Sequence, residues 1–143
     1  MSRLDEIRTS GRIEELGRTE CVELLRAKSV GRVGFVGPDG PLVLPVNYVM
    51  DGETVLFRTS PYNVMGSALR KAPAAFEVDD LDDYLQSGWS VLVQGSAGFV
   101  VDDEEAEITH ERLTRPEPWA AGTRTLYIRV TAQTISGRRL HPV

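Results

Sequence analysis

The chain has 143 residues, of which 41% are hydrophobic and 26% charged, with a formal net charge of −5; this composition fits one globular domain with a real core and excludes a disordered chain or two full domains. No apolar run reaches the roughly 18–20 residues of a membrane helix, and residues 1–6 lack the apolar core of a secretory leader. A single cysteine, Cys21, excludes an internal disulfide framework and a multi-cysteine zinc site, so the expected location is cytoplasmic.

In chain order, the first dozen residues are polar and read as frayed or briefly helical, within an N-terminal extension over 1–18 that precedes the domain proper over 19–143. Thr19 has the chemistry of an N-cap, Glu20 and Glu23 suit a first turn, and Cys21, Val22, Leu24 and Leu25 give an apolar stripe, predicting a helix over 19–27. The period then changes to two. Strands are predicted over 30–36, 41–49 and 54–59, joined by turns at Gly37-Pro38-Asp39-Gly40 and Asp51-Gly52, which makes an antiparallel meander. Pro45 has no N–H to give, so its strand should be at an edge or bulged there. A short helix over 63–71 should stop before Pro73. A strand over 75–78, an acidic loop over 79–88 and a long strand over 89–101 follow, the last with Trp89, Val91, Val93, Gly95, Ala97, Phe99 and Val101 on one face. Residues 102–115 suit a helix, 116–122 a loop, and 125–130 and 133–140 two final strands. Six or seven antiparallel strands with two or three short helices predict a mainly β protein, a small barrel or sandwich, without the strand–helix alternation of a dinucleotide-binding fold.

Charge is unevenly spread. Residues 72–111 hold 11 acidic side chains and no Lys or Arg, while the remainder carries all 16 basic residues against 10 acidic ones. Fourteen of the 16 are Arg, whose fork matches phosphate geometry, although such an excess also arises from base composition alone. No basic stripe with interleaved aromatics points to nucleic acid. His110 and His141 lie far apart, and the acidic runs lack the spacing of a calcium loop, so no metal site is expected. Cys21 belongs to an apolar helix stripe, and no nucleophile elbow or phosphate-binding glycine loop is present. An enzyme of this sequence would therefore rely on a cofactor. The suggestive stretch is Pro45-Val46-Asn47-Tyr48 followed ten residues on by Arg58-Thr59-Ser60 and then a helix start, which together offer a guanidinium, hydroxyls and amides to an anion.

Five segments in order carry a family likeness: Gly31-Arg32-Val33-Gly34-Phe35-Val36, Pro45-Val46-Asn47-Tyr48, Leu56-Phe57-Arg58-Thr59, Phe76-Glu77-Val78-Asp79-Asp80 and Gly88-Trp89-Ser90-Val91-Leu92-Val93-Gln94-Gly95. Together they resemble the pyridoxamine 5'-phosphate oxidase-like flavoproteins, in particular the branch of nitroimidazole-resistance reductases. Tyr127-Ile128-Arg129-Val130 and Ile135-Ser136-Gly137-Arg138 fit the same branch, so the resemblance runs from about 19 to 140. It implies an antiparallel split β-barrel that binds FMN at a homodimer interface and serves a small-molecule substrate, with reduced nicotinamide as a donor. It implies Pro45, Val46 and Asn47 along the flavin ring, and Arg58, Thr59 and Ser60 near the ring edge and phosphate. It also implies Trp89 and Gln94 on the strand that completes the pocket, and Trp119 and Arg129 reaching in from the partner. Relatives carry a Lys at the start of the helix after the third strand; here Asn63-Val64-Met65-Gly66 has none, and Ser67, Arg70 or Lys71 would have to substitute. The same barrel also suits a deazaflavin-dependent reductase, or a flavin or haem carrier without catalysis.

Overall fold

The computed structural model of the chain describes residues 12–60, 63–100, 103–113 and 126–142. Seven strands, β1 (Arg12–Leu16), β2 (Val30–Gly37), β3 (Gly40–Asp51), β4 (Thr54–Thr59), β5 (Lys71–Asp82), β6 (Ser87–Phe99) and β7 (Leu126–His141), form one antiparallel sheet. Among the described residues three helices accompany these strands, α1 (Arg18–Ala27), α2 (Val64–Ala68) and α3 (Asp103–Leu113). The sheet order β1-β7-β4-β3-β2-β5-β6, with β6 returning to β7, closes six strands into a barrel and leaves β1 as an added edge. The closure is uneven: β5 and β6 pair along their whole length, whereas β2 and β5 share only Arg32–Gly34 against Ala75–Glu77. This is the split barrel.

The period-two pattern drives the folding. Val33, Val46, Tyr48, Phe57, Phe76, Val91, Val93 and Ile128 turn inward into one core, and α1 adds Cys21 and Leu25 to it. Tyr48 is 1% exposed; its hydroxyl donates to Leu25 O, and its ring stands edge-on to Phe76 at 4.7 Å. Burial pushes that phenol up to about 12, so it stays a neutral donor that ties α1 to the barrel. Pro45 has its local edge: β3 pairs with β4 only from Tyr48 to Asp51, so the stretch ahead of Tyr48 has β2 alone as partner.

Several expected boundaries shift. Arg12–Leu16, to which the sequence assigned no element beyond an extension, is a strand; it pairs with Gly137–His141, and Glu14 meets His141 at 2.7 Å. The cap of α1 is Gly17 instead of Thr19, without a side-chain bond, and Arg18 anchors that end on Glu53 at 2.7 Å. The short helix ends at Ala68 instead of 71, because Lys71 already pairs with Gly98. Much of the expected acidic loop is sheet, since β5 runs to Asp82 and β6 begins at Ser87. The two last strands are one: between Gln94↔Thr134 and Gly95↔Ala132, Gln133 has no counterpart, and this bulge resets the alternation without ending the strand.

Candidate ligand site on the outer face of β3, β4 and β7

Alternation places Leu56 and Arg58 of β4 on the side opposite Val55, Phe57 and Thr59. On β7 the outward residues are Tyr127 and Arg129, because Ile128 and Val130 are interior. Register brings them together. Arg58 opposes Tyr127, and Leu56 opposes Arg129, so Arg58 and Arg129 are diagonal neighbours about 7–8 Å apart in one protomer, whereas the resemblance implied Arg129 arriving from the partner. Asn47 directly precedes Tyr48, where β3 begins to pair with β4, and is exposed with Pro45. Ser60 follows at the end of β4. α3 covers the adjoining part of this face: Leu56 is fully buried outside the interior core, Leu113 is buried, and Arg112 Nη1 donates to Met50 O at 2.9 Å. The Tyr127 hydroxyl is raised from its ordinary range by burial, against the pull of the Arg58 charge.

Not every expected residue joins this group. Val46 is 8% exposed and belongs to the barrel interior, so its side chain is not offered to a ligand. Thr59 also points inward, and its hydroxyl accepts from Asn63 Nδ2 at 2.6 Å. Asn63 caps α2 through Oδ1, which accepts from Gly66 N at 2.9 Å, so an amide that the sequence offered to an anion is already engaged. The Ser67 hydroxyl donates to Val64 O, and Arg70 stands 6.0 Å from the Phe99 ring centre. Val64, the first residue of α2, packs on the core and presents no cation there. Lys71 does reach the cationic face: it opposes Gly98, which opposes Arg129, and the glycine leaves an open gap of two strand spacings, about 10 Å, between the two cations.

Trp89 and Gln94 lie elsewhere on the protomer. Trp89 opposes Arg139, ten residues and about 30 Å along β7 from Arg129, and packs on the core. Gln94 is on the outer face of β6, where its Oε1 accepts from Thr134, and lines a shallow cavity of about 460 Å³ with Val36, Val43 and Ala75. Trp119 lies outside the described residues. Sequence reasoning assigned no role to Tyr127, although it stood in a quoted motif; only the β4–β7 register puts it beside Arg58. It also missed the ion cluster of Arg32, Glu77 and Asp79 on β2 and β5. Burial first, then Asp79, pushes the Glu77 carboxyl up to about 7, with Arg32 opposing. Among the described residues no group of three or more His, Cys, Asp or Glu is arranged to hold a metal ion, and no helix is long and apolar enough to cross a membrane.

A profile of the pyridoxamine 5'-phosphate oxidase family matches residues 17–139. The chain belongs to this family. The match takes in β2 to β6 entire and all of β7 up to Arg139, so the family fold and the observed barrel are the same object. The uncharacterised protein Rv0080 of Mycobacterium tuberculosis is 31% identical over 133 residues, 90% of this chain and 86% of that one. The solved FAD binding protein from Mycobacterium smegmatis shares 30% identity with a TM-score of 0.69, covering 90% of this chain and 98% of that one. A structure described as a putative 5-nitroimidazole antibiotic resistance protein from Bacteroides thetaiotaomicron has a TM-score of 0.68, covering 92% of this chain and 90% of that one; at 14% identity it speaks for the fold alone.

Proposed function

We propose that this chain is a flavin-dependent oxidoreductase that holds FMN against the outer face of β3, β4 and β7. The observation that carries the reading is the convergence of Arg58 and Arg129, from strands far apart in sequence, beside Asn47, Ser60 and Tyr127. This donor set fits the cofactor. Two guanidiniums and Lys71 suit a phosphate and electron-rich ring oxygens, an amide and hydroxyls suit ring edges, and Pro45 offers a flat apolar contact. When bound, the flavin supplies the hydride and electron transfer between a reduced donor such as nicotinamide and a small organic acceptor. The chain orients the ring through Asn47 and Arg58 and holds the charged tail with its cations, while α3 shields one border from water. No protein acid or base is assigned to the reaction.

The 30% identical neighbour is named for FAD, which favours the dinucleotide as a second reading. Titration of the purified protein with FMN, FAD and the deazaflavin cofactor in turn separates these readings. Tightest binding of FMN with quenching of its fluorescence is expected. Tighter FAD or deazaflavin binding would replace the cofactor assignment, and no binding of any of the three would remove the function.

The site is completed by a second copy in this reading. The outer face of β2 and β3 leaves Val36 71% and Val43 67% exposed, more apolar sheet than a lone barrel retains without cause. Gln94 shares this face, so a two-fold pairing lets it serve the partner's site. A homodimer burying at least about 1,200–2,000 Å² in total is expected, and light scattering at micromolar concentration checks it. A monomeric mass with flavin bound would remove Gln94 from the site.

A further inference from the structure

The apolar sheet face described above carries one compact ionic group. Arg32 of β2 opposes Glu77 of β5, with Nη1 3.1 Å from Glu77 Oε1 and 3.3 Å from Asp79 Oδ2. Two neighbouring carboxylates thus share one guanidinium. The residues opposite them on β6, Leu92 and Ser90, carry no charge. Among the described residues the remaining charged groups facing Glu77 are Glu15 of β1 and Arg138 of β7, across a groove of about 620 Å³ floored by Ile13, Leu92 and Ile135. Lys28, at the end of α1, is held by Asp80 at 2.8 Å.

We propose that a second copy of this chain docks on this face and that docking takes up a proton at the Glu77–Asp79 pair, which share one guanidinium, so that the dimer tightens as pH falls. The inference rests on the homodimer reading above. A second copy suits the face because its charges are mixed: Arg32 and Arg138 stand with Glu15, Glu77 and Asp79 among valines, so two-fold pairing opposes no single-sign fields. Removing water from the group disfavours its ionised form. In the lone protomer the Glu77 carboxyl already stands at about 7 because of burial and Asp79. Covering it raises that value further. The dimer then holds more protons than two free protomers above about pH 7, so association weakens as pH rises through that window. Well below pH 7 the group is protonated in both states, and the dependence disappears.

Sedimentation equilibrium of the full chain at about pH 6.5 and about pH 8.5, at one ionic strength and with and without FMN, tests this; both values lie above the phosphate's own titration near 6. The dimer Kd should rise at least about tenfold between them. Glu77→Gln, a neutral substitute of the same shape on an outward position, should hold the Kd flat and close to the native value at the lower pH. Asp79→Asn should reduce the slope. A native Kd equal at both pH values, or a slope that persists in Glu77→Gln, overturns the proton linkage while leaving the homodimer standing. Monomer at every pH and concentration overturns the homodimer reading itself, and the linkage with it. Thermal melts of each variant confirm that the comparison is between folded chains.

Discussion

Arg58→Ala should weaken FMN binding by roughly 10- to 150-fold, the worth of about 1.5–3 kcal/mol for a charge-assisted contact. The guanidinium stands on the outer side of β4, opposite Tyr127 and diagonal to Arg129, while the interior side of that strand is filled by Val55, Phe57 and Thr59. Truncation therefore removes a ligand contact without opening a hole in the core, and the melting temperature should stay within a degree or two of native. Arg58→Lys keeps the charge but loses the planar fork, so its loss should be smaller. Fluorescence titration with FMN reads all three proteins. A native Kd in Arg58→Ala would take Arg58 out of the site and move the cofactor off this face.

Gly95→Ala should cost about 3 kcal/mol or more and lower the melting temperature by about 10 °C. A Cβ there would lie 1.9 Å from Thr131 O and 2.9 Å from Thr131 C, which are backbone atoms of β7 and cannot rotate aside. The contact sits at the bulge where β6 and β7 change register, so relief would require reshaping the seam that closes the barrel. Gly34→Ala is the control. Its Cβ would meet Ala75 Cβ at 3.7 Å, an ordinary contact, and it should be neutral or slightly stabilising by restricting the unfolded chain. Calorimetry of the two variants side by side decides the point; equal melting temperatures would mean the bulge is soft.

The strands that a reader of the sequence can find are those whose two sides differ. β2 and β6 alternate because one side meets the core and the other meets water, and β4 stands out by its apolar run between turns, with α3 burying Leu56 on its outer side; the limits of all three follow within a residue or two. β1 escapes notice because four of its five residues are exposed and only Leu16 is buried. The far half of β5 escapes because its acids look like a loop until Arg32 and Lys28 are seen to neutralise them from other elements. β7 looks like two strands because one unmatched residue inverts its period. The site was legible only as a set of candidates. Pattern tells which side of a strand a residue takes, yet the sequence motif kept Arg58 and Thr59 together although alternation sends Thr59 inward. Which residues of other strands arrive beside it depends on register between segments some 70 positions apart, and no local rule fixes that. Trp89 and Gln94 show the limit, since both lie on a strand of the barrel yet away from the cations.

The order in which the strands appear along the chain matters for how the molecule is made. β7 pairs with β1, β4 and β6, and its first contact with β1 joins Arg12 to His141. As the nascent polypeptide leaves the ribosome, every earlier strand emerges before the one that completes it. β4 waits with one edge unsatisfied and β6 likewise, each a template for pairing with a neighbouring chain. Closure must also bring together the most distant segments, which makes it slow on the scale of small proteins. Cells that produce this protein quickly should therefore accumulate it in aggregates more readily at high temperature than its finished stability suggests, and slower synthesis or added chaperone should recover it.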